Sequence, residues 1–141
     1  MLIGRRATTI DVDLVMRPKS DAMLRAIALL KEDLQLNVDL SSPDLFIPVA
    51  PGLKQRSPVV TRIWRVTYRH FDFLAQALAK IERQHARDLA DVQAMMAYGL
   101  ISAADVRAQF ARVEPELFRF PAIDPPSFRR AVDAVFPPCA P

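Results

Sequence analysis

An α+β fold, a small mixed sheet followed by a helical C-terminal half, is predicted by three features of this chain. β-forming residues alternate with polar ones at Thr9–Met16 and again at Leu36–Leu40, a helical period lies between these two runs, and from Asp72 onward the apolar spacing is helical and punctuated by Gly and Pro. A length of 141 residues fits one domain, with a sheet-rich part over 1–71 and a helical part over 72–141, and 51% hydrophobic residues is ample for a single core.

The first strand is expected over Thr8–Met16, where β-branched residues surround Asp11 and Asp13. Pro18 ends it, and Ser20 with Asp21 behind it reads as the N-cap and first turn of a helix running to Leu34. Leu24, Ile27, Leu30 and Leu34 fall on one stripe of that helix, which predicts packing against the sheet. Leu36-Asn37-Val38-Asp39-Leu40 alternates as a second strand, so residues 8–40 form a candidate βαβ unit. Pro43, Pro48, Pro51, Gly52 and Pro58 then predict a loop over 41–58.

From Val59 to Phe71, β-formers interleave with Arg62, Arg65 and Arg69, which predicts a strand or hairpin at the end of the sheet. The arginines suit either phosphate contacts or the solvated side of an edge strand. Asp72 is placed to cap the longest helix, whose stripe comprises Leu74, Leu78, Ile81, Leu89, Val92 and Met96 and which Gly99 ends. His85 falls on this stripe and is expected as a core histidine. Ser102 with Asp105 forms a capping box for a helix to Val113, and a last helix is expected over Ser127–Phe136, stopped by Pro137-Pro138.

The net charge of +3 is mildly basic, compatible with a nucleotide or nucleic-acid partner. Cys139 is the sole cysteine and forms no internal disulfide, which points to a reducing cytoplasm. No apolar run reaches the ~18 residues of a membrane span, and no signal-like apolar region precedes Arg5 and Arg6, so no membrane association is expected.

The chemistry concentrates in the acids. Residues two apart on a strand share a face, so Asp11 and Asp13 point the same way; at about 6 Å and an effective dielectric near 20 they repel by roughly 3 kcal/mol, which a cation would offset. Carboxylate oxygens suit Mg²⁺ or Mn²⁺, the alternative being a strand face simply open to water. If the two strands are neighbours, Asp39 joins as a third acid. On an unbroken helix Lys80, Arg87 and Asp91 lie within roughly 40° of one another, with Asp88 adjacent, so one cleft would meet them all; the alternative is surface ion pairs.

The order Arg5-Arg6-Ala7-Thr8-Thr9-Ile10-Asp11-Val12-Asp13-Leu14, a helix, Asn37-Val38-Asp39-Leu40, Ala77-Leu78-Ala79-Lys80-Ile81-Glu82-Arg83 and Arg87-Asp88-Leu89-Ala90-Asp91-Val92 resembles the minimal nucleotidyltransferases. Within them it resembles the DUF6036 type of bacterial nucleotidyltransferase-like proteins and, more distantly, the nucleotidyltransferase toxins of toxin-antitoxin and abortive-infection systems. The similarity extends to the tail around Phe118-Arg119-Phe120-Pro121-Ala122-Ile123-Asp124-Pro125.

The resemblance implies a sheet of the nucleotidyltransferase type and transfer of a nucleotide from a nucleoside triphosphate to a protein or RNA acceptor such as tRNA, with an antitoxin as protein partner. It implies that Asp11 and Asp13, with Asp39 as third carboxylate, hold Mg²⁺ or Mn²⁺; that Lys80 neutralises phosphate charge; and that Arg87, Asp88 and Asp91 orient substrate or support the site. Such enzymes carry a Gly-Gly-Ser or Gly-Gly-Thr turn about ten residues before the D-x-D, whose amides cradle phosphate. The chain has only Gly4, Gly52 and Gly99, none beside another glycine or followed by Ser or Thr. The expectation is therefore a gene start placed too late, a fragment, or a catalytically inactive relative serving as a nucleotide- or protein-binding module.

Overall fold

The computed structural model describes residues 11–137, and they form an α+β chain of four short strands and six helices. Two compact units divide it, one ending at Ser42 and the other starting at Pro43.

The first unit is the βαβ element that the alternation predicts. Strand β1 (Asp11–Asp13) and strand β2 (Asn37–Asp39) pair in parallel, joined by helix α1 (Asp21–Leu34). The Ser20 hydroxyl accepts from the Met23 amide at 3.4 Å and caps α1. Both strands are shorter than expected: β1 ends at Asp13, while Thr8–Ile10 lie outside the described residues. The stripe on α1 is also less covered than predicted. Leu24 and Ile27 are half-buried, whereas Leu30 and Leu34 remain 48% and 58% exposed. Two three-residue strands offer too little area to cover a four-turn helix.

In the second unit, the expected loop 41–58 contains a 3-10 turn at Pro43–Leu45 and helix α2 (Leu53–Arg56). Strands β3 (Val59–Ile63) and β4 (Val66–Arg69) form an antiparallel hairpin with a register irregularity between Val59 and Thr61. One mixed sheet was expected; among the described residues there are two separate sheets of two strands each, because β3 and β4 hydrogen-bond only to each other. Every residue of the hairpin strands is exposed. At its tip Trp64 adopts φ 55°, a left-handed conformation that costs a non-glycine residue about 1–2 kcal/mol.

The core is helical. The predicted long helix over 72–99 is instead two, α3 (Phe73–Arg83) and α4 (Ala86–Ala97). Gln84 takes the left-handed conformation (φ 56°) that normally favours glycine, and its amide closes α3 on the Lys80 carbonyl. The break resets the helical phase: α4 buries Asp88, Val92 and Met95 rather than Met96, and His85 is exposed at the α4 N-cap instead of lying in the core. Gly99 ends α4 with φ 67°, its amide bonding to the Met96 carbonyl and the Leu100 amide to that of Met95, the paired bonds of a Schellman motif.

Helix α5 (Ala103–Val113) starts at the expected cap, Ser102 Oγ accepting from the Asp105 amide at 3.1 Å. After a 3-10 stretch at Glu114–Arg119, helix α6 (Pro125–Val135) begins earlier than predicted, since Asp124 caps it and Pro125-Pro126 fit a first turn that has no amide partners to lose. Leu78, Ile81, Val92, Val106 and Val132 are at most 1% exposed, and Phe110 packs edge-on against Phe128 at 5.0 Å. Each such aliphatic side chain contributes about 1.5–3 kcal/mol by burial. No helix among the described residues is long and apolar enough to cross a membrane.

One group in this core lacks compensation. Gln109 is 2% exposed, and neither its Nε2 nor its Oε1 has a hydrogen-bond partner. A buried amide without partners costs about 1–3 kcal/mol, so Gln109→Leu is expected to raise stability by about 1–2 kcal/mol. Urea unfolding of both proteins checks this, and a loss of stability instead would mean that the amide is satisfied in solution.

Candidate functional site

In the first unit, the pairing Asp11 with Asn37, Val12 with Val38 and Asp13 with Asp39 sets the geometry. Paired residues of neighbouring strands project to the same side, as do residues two apart, so Asp11, Asp13, Asn37 and Asp39 share one face. The register is held by the Leu14 amide donating to the Asp39 carbonyl at 2.9 Å. Neighbouring strands lie about 4.8 Å apart, which sets the Asp13 and Asp39 carboxylates side by side as like charges. All three acids are exposed.

Asn37 Nδ2 donates to Asp11 Oδ1 at 3.0 Å and so fixes one carboxylate of the face. Sequence reasoning gave Asn37 no role; the signal was its position two residues before Asp39. No group of three or more His, Cys, Asp or Glu side chains is drawn together at metal-binding distance among the described residues. The oxygens have the right chemistry for a hard cation, and Mg²⁺ commonly takes only one or two carboxylates and keeps waters for its other positions.

In the second unit, the cationic element forms across the α3–α4 break. Asp88 lies on the buried face of α4 with Val92 and Met95, so it points at α3, where Lys80 meets it. Lys80 Nζ donates to Asp88 Oδ1 and to Asp91 Oδ2, both at 3.0 Å. Arg83 Nη2 adds a second cation to Asp88 Oδ1 at 3.2 Å. The side chains of Lys80, Asp88 and Asp91 are 21%, 12% and 22% exposed, enough burial to strengthen the attraction above that of a surface pair.

The structure thus joins Lys80, Asp88 and Asp91 but by a different route from the expected one. A continuous helix would align Lys80, Arg87 and Asp91 along one side; the turn at Gln84 instead folds α4 back on α3. Arg87 is exposed and makes no ion pair among the described residues, whereas Arg83, which sequence reasoning left out, takes the second cationic position. No residue near the break except its left-handed Gln84 marks this arrangement, and glutamine carries no such signal in sequence.

A second buried ion pair has a structural character. Asp72, 1% exposed, caps α3 by accepting from the Leu74 amide at 3.1 Å and also receives Arg56 Nε at 2.7 Å. The chain matches no protein-family model, and comparison with curated proteins and with solved structures finds no match either.

Proposed function

We propose that this chain is a metal-dependent nucleotidyltransferase-like protein that moves a nucleotide from a nucleoside triphosphate onto a protein or RNA acceptor, in the manner of a toxin-antitoxin component, with a sheet arrangement of the nucleotidyltransferase type. The observation that carries this reading is the parallel register that puts Asp11, Asp13 and Asp39 on one face of a βαβ element. Three like charges on one small face favour a divalent cation, Mg²⁺ or Mn²⁺, which when bound would balance the charge of the triphosphate. In the transfer, an acceptor oxygen attacks the α-phosphorus and pyrophosphate leaves. Lys80 is the cation assigned to phosphate, with Asp88 and Asp91 fixing its position and Arg87 offering a further exposed charge.

Incubation with Mg²⁺ or Mn²⁺, each triphosphate labelled at the α-phosphate, and cell extract is expected to label a macromolecule, and Asp13→Asn is expected to abolish that labelling. Absence of transfer with every triphosphate, or labelling that survives Asp11→Asn and Asp13→Asn, overturns the reading.

A second reading, a nucleotide- or protein-binding module without catalysis, is favoured by the ion pairs of Lys80, whose charge is already met by Asp88 and Asp91, both at 3.0 Å. Calorimetry separates the two, since this module binds nucleotide or partner without producing pyrophosphate.

A further inference from the structure

We propose that the β3–β4 hairpin is a binding surface for single-stranded nucleic acid, with Trp64 as its stacking platform and Arg62 and Arg65 as phosphate contacts. Three independent observations converge on the hairpin tip.

The first is charge. From Leu45 to Phe71 the chain has no Asp or Glu, while Lys54, Arg56, Arg62, Arg65 and Arg69 contribute five positive charges, more than the +3 of the entire chain. The remainder is therefore net acidic, and the basic character of the protein belongs to this segment. Arg56 and Arg69 are occupied by local acceptors: Arg56 by Asp72, and Arg69 by the Ser57 carbonyl at 2.8 Å. The side chains of Arg62 and Arg65 make no hydrogen bond or ion pair among the described residues, and both residues are exposed.

The second is the aromatic. Trp64 is 93% exposed, so it contributes nothing to the core. The third is strain: a tryptophan occupies a left-handed position, φ 55°, that glycine or asparagine would fill more easily. A large side chain held in an unfavourable backbone conformation and left in water gains nothing from folding, which makes an external contact its physical reason for being there.

The hairpin geometry fits an unpaired strand of nucleic acid. Arg62 pairs with Thr67 on one side of the ribbon, while Thr61 with Tyr68 and Ile63 with Val66 lie on the other. Tyr68, 49% exposed, gives a second ring on that apolar side. Every base has a π-face, so an exposed tryptophan flanked in the chain by Arg65 and, two residues before, Arg62 accepts bases with little sequence preference, whereas a duplex hides those faces. A protein partner would have to be acidic to match this acid-free segment, whereas a nucleic-acid strand brings a negative charge with every nucleotide.

The test uses the intact protein, with neither metal nor triphosphate, so it stands or falls apart from the transferase reading. Trp64 is the only tryptophan in the chain, so its fluorescence reports on the site directly. An oligouridylate of about 12 nucleotides at about 50 mM salt is expected to quench it. Trp64→Gly, which also relieves the backbone, is expected to weaken binding of the labelled oligomer about 5- to 150-fold by anisotropy, and Trp64→Phe to restore most of it. Arg62→Gln with Arg65→Gln should lower the slope of log affinity against log salt by about 1.4. Absence of quenching, equal affinity for duplex, or an unchanged affinity in Trp64→Gly overturns the proposal. So does concentration-dependent self-association in sedimentation that Trp64→Gly abolishes, which would assign the tip to a second copy of the chain.

Discussion

Asp72→Ala is expected to cost about 3–5 kcal/mol of stability, read as a drop in the urea midpoint by circular dichroism. Two losses combine. The cap of α3 disappears, worth about 1 kcal/mol, and Arg56 loses the carboxylate that balances it in a site where the side chains are 24% and 2% exposed. Arg56 also donates to the Ala50 carbonyl at 2.9 Å and to the Pro51 carbonyl at 2.5 Å. This one side chain therefore ties the proline-rich segment to the start of α3, and the four-residue α2 is too short to hold itself without it. Gly52 serves the same clamp: its φ is 86°, and a Cβ there would meet Arg56 Nη1 at 3.0 Å. Arg56→Met leaves the buried carboxylate with the Leu74 amide but no cation and should destabilise at least as much. A loss below about 1 kcal/mol in both variants would show that water screens the pair as it does on a surface.

The parts of this fold legible in sequence are those decided by a few adjacent residues. Ser20, Asp72 and Ser102 each cap the helix that follows, because a short polar side chain beside an apolar period has one economical use, and Gly99 ends α4 because its left-handed φ suits glycine. Alternation likewise marked β1, β2 and the hairpin. What was hidden depends on residues distant in sequence or on a conformation its residue does not advertise. Gln84 breaks the long helix without Gly or Pro, so the apolar period runs on through it in sequence, and it puts His85 and Met96 on a stripe that the new phase leaves exposed. The Arg56 to Asp72 pair spans the hairpin and has no local signature. In the candidate site, the shared face of Asp11, Asp13 and Asp39 follows from the two-residue period of strands, whereas Lys80, Asp88 and Asp91 meet as an ion-pair cluster across two helices that a single continuous period does not show.

Lys80→Met offers the sharpest separation of structure from function. It takes from the partly buried Asp88 and Asp91 the one cation that bridges them, Arg83 still meeting Asp88, so a loss of about 2–4 kcal/mol is expected in urea unfolding. Most of that loss comes from stranded charge rather than from the vanished attraction. Removing the acids as well, in Lys80→Met/Asp88→Asn/Asp91→Asn, should therefore recover stability to within about 1 kcal/mol of the parent. If the triple variant stays as unstable as Lys80→Met, the lysine matters through its packing across the α3–α4 break. The chemical question is then asked by comparing this variant with Asp88→Asn/Asp91→Asn, which lacks the same two acids but keeps the lysine. Nucleotide labelling lost in the triple variant but kept in the double one places the lysine charge on the substrate, and labelling retained in both makes the cluster a clasp that holds α4 against α3.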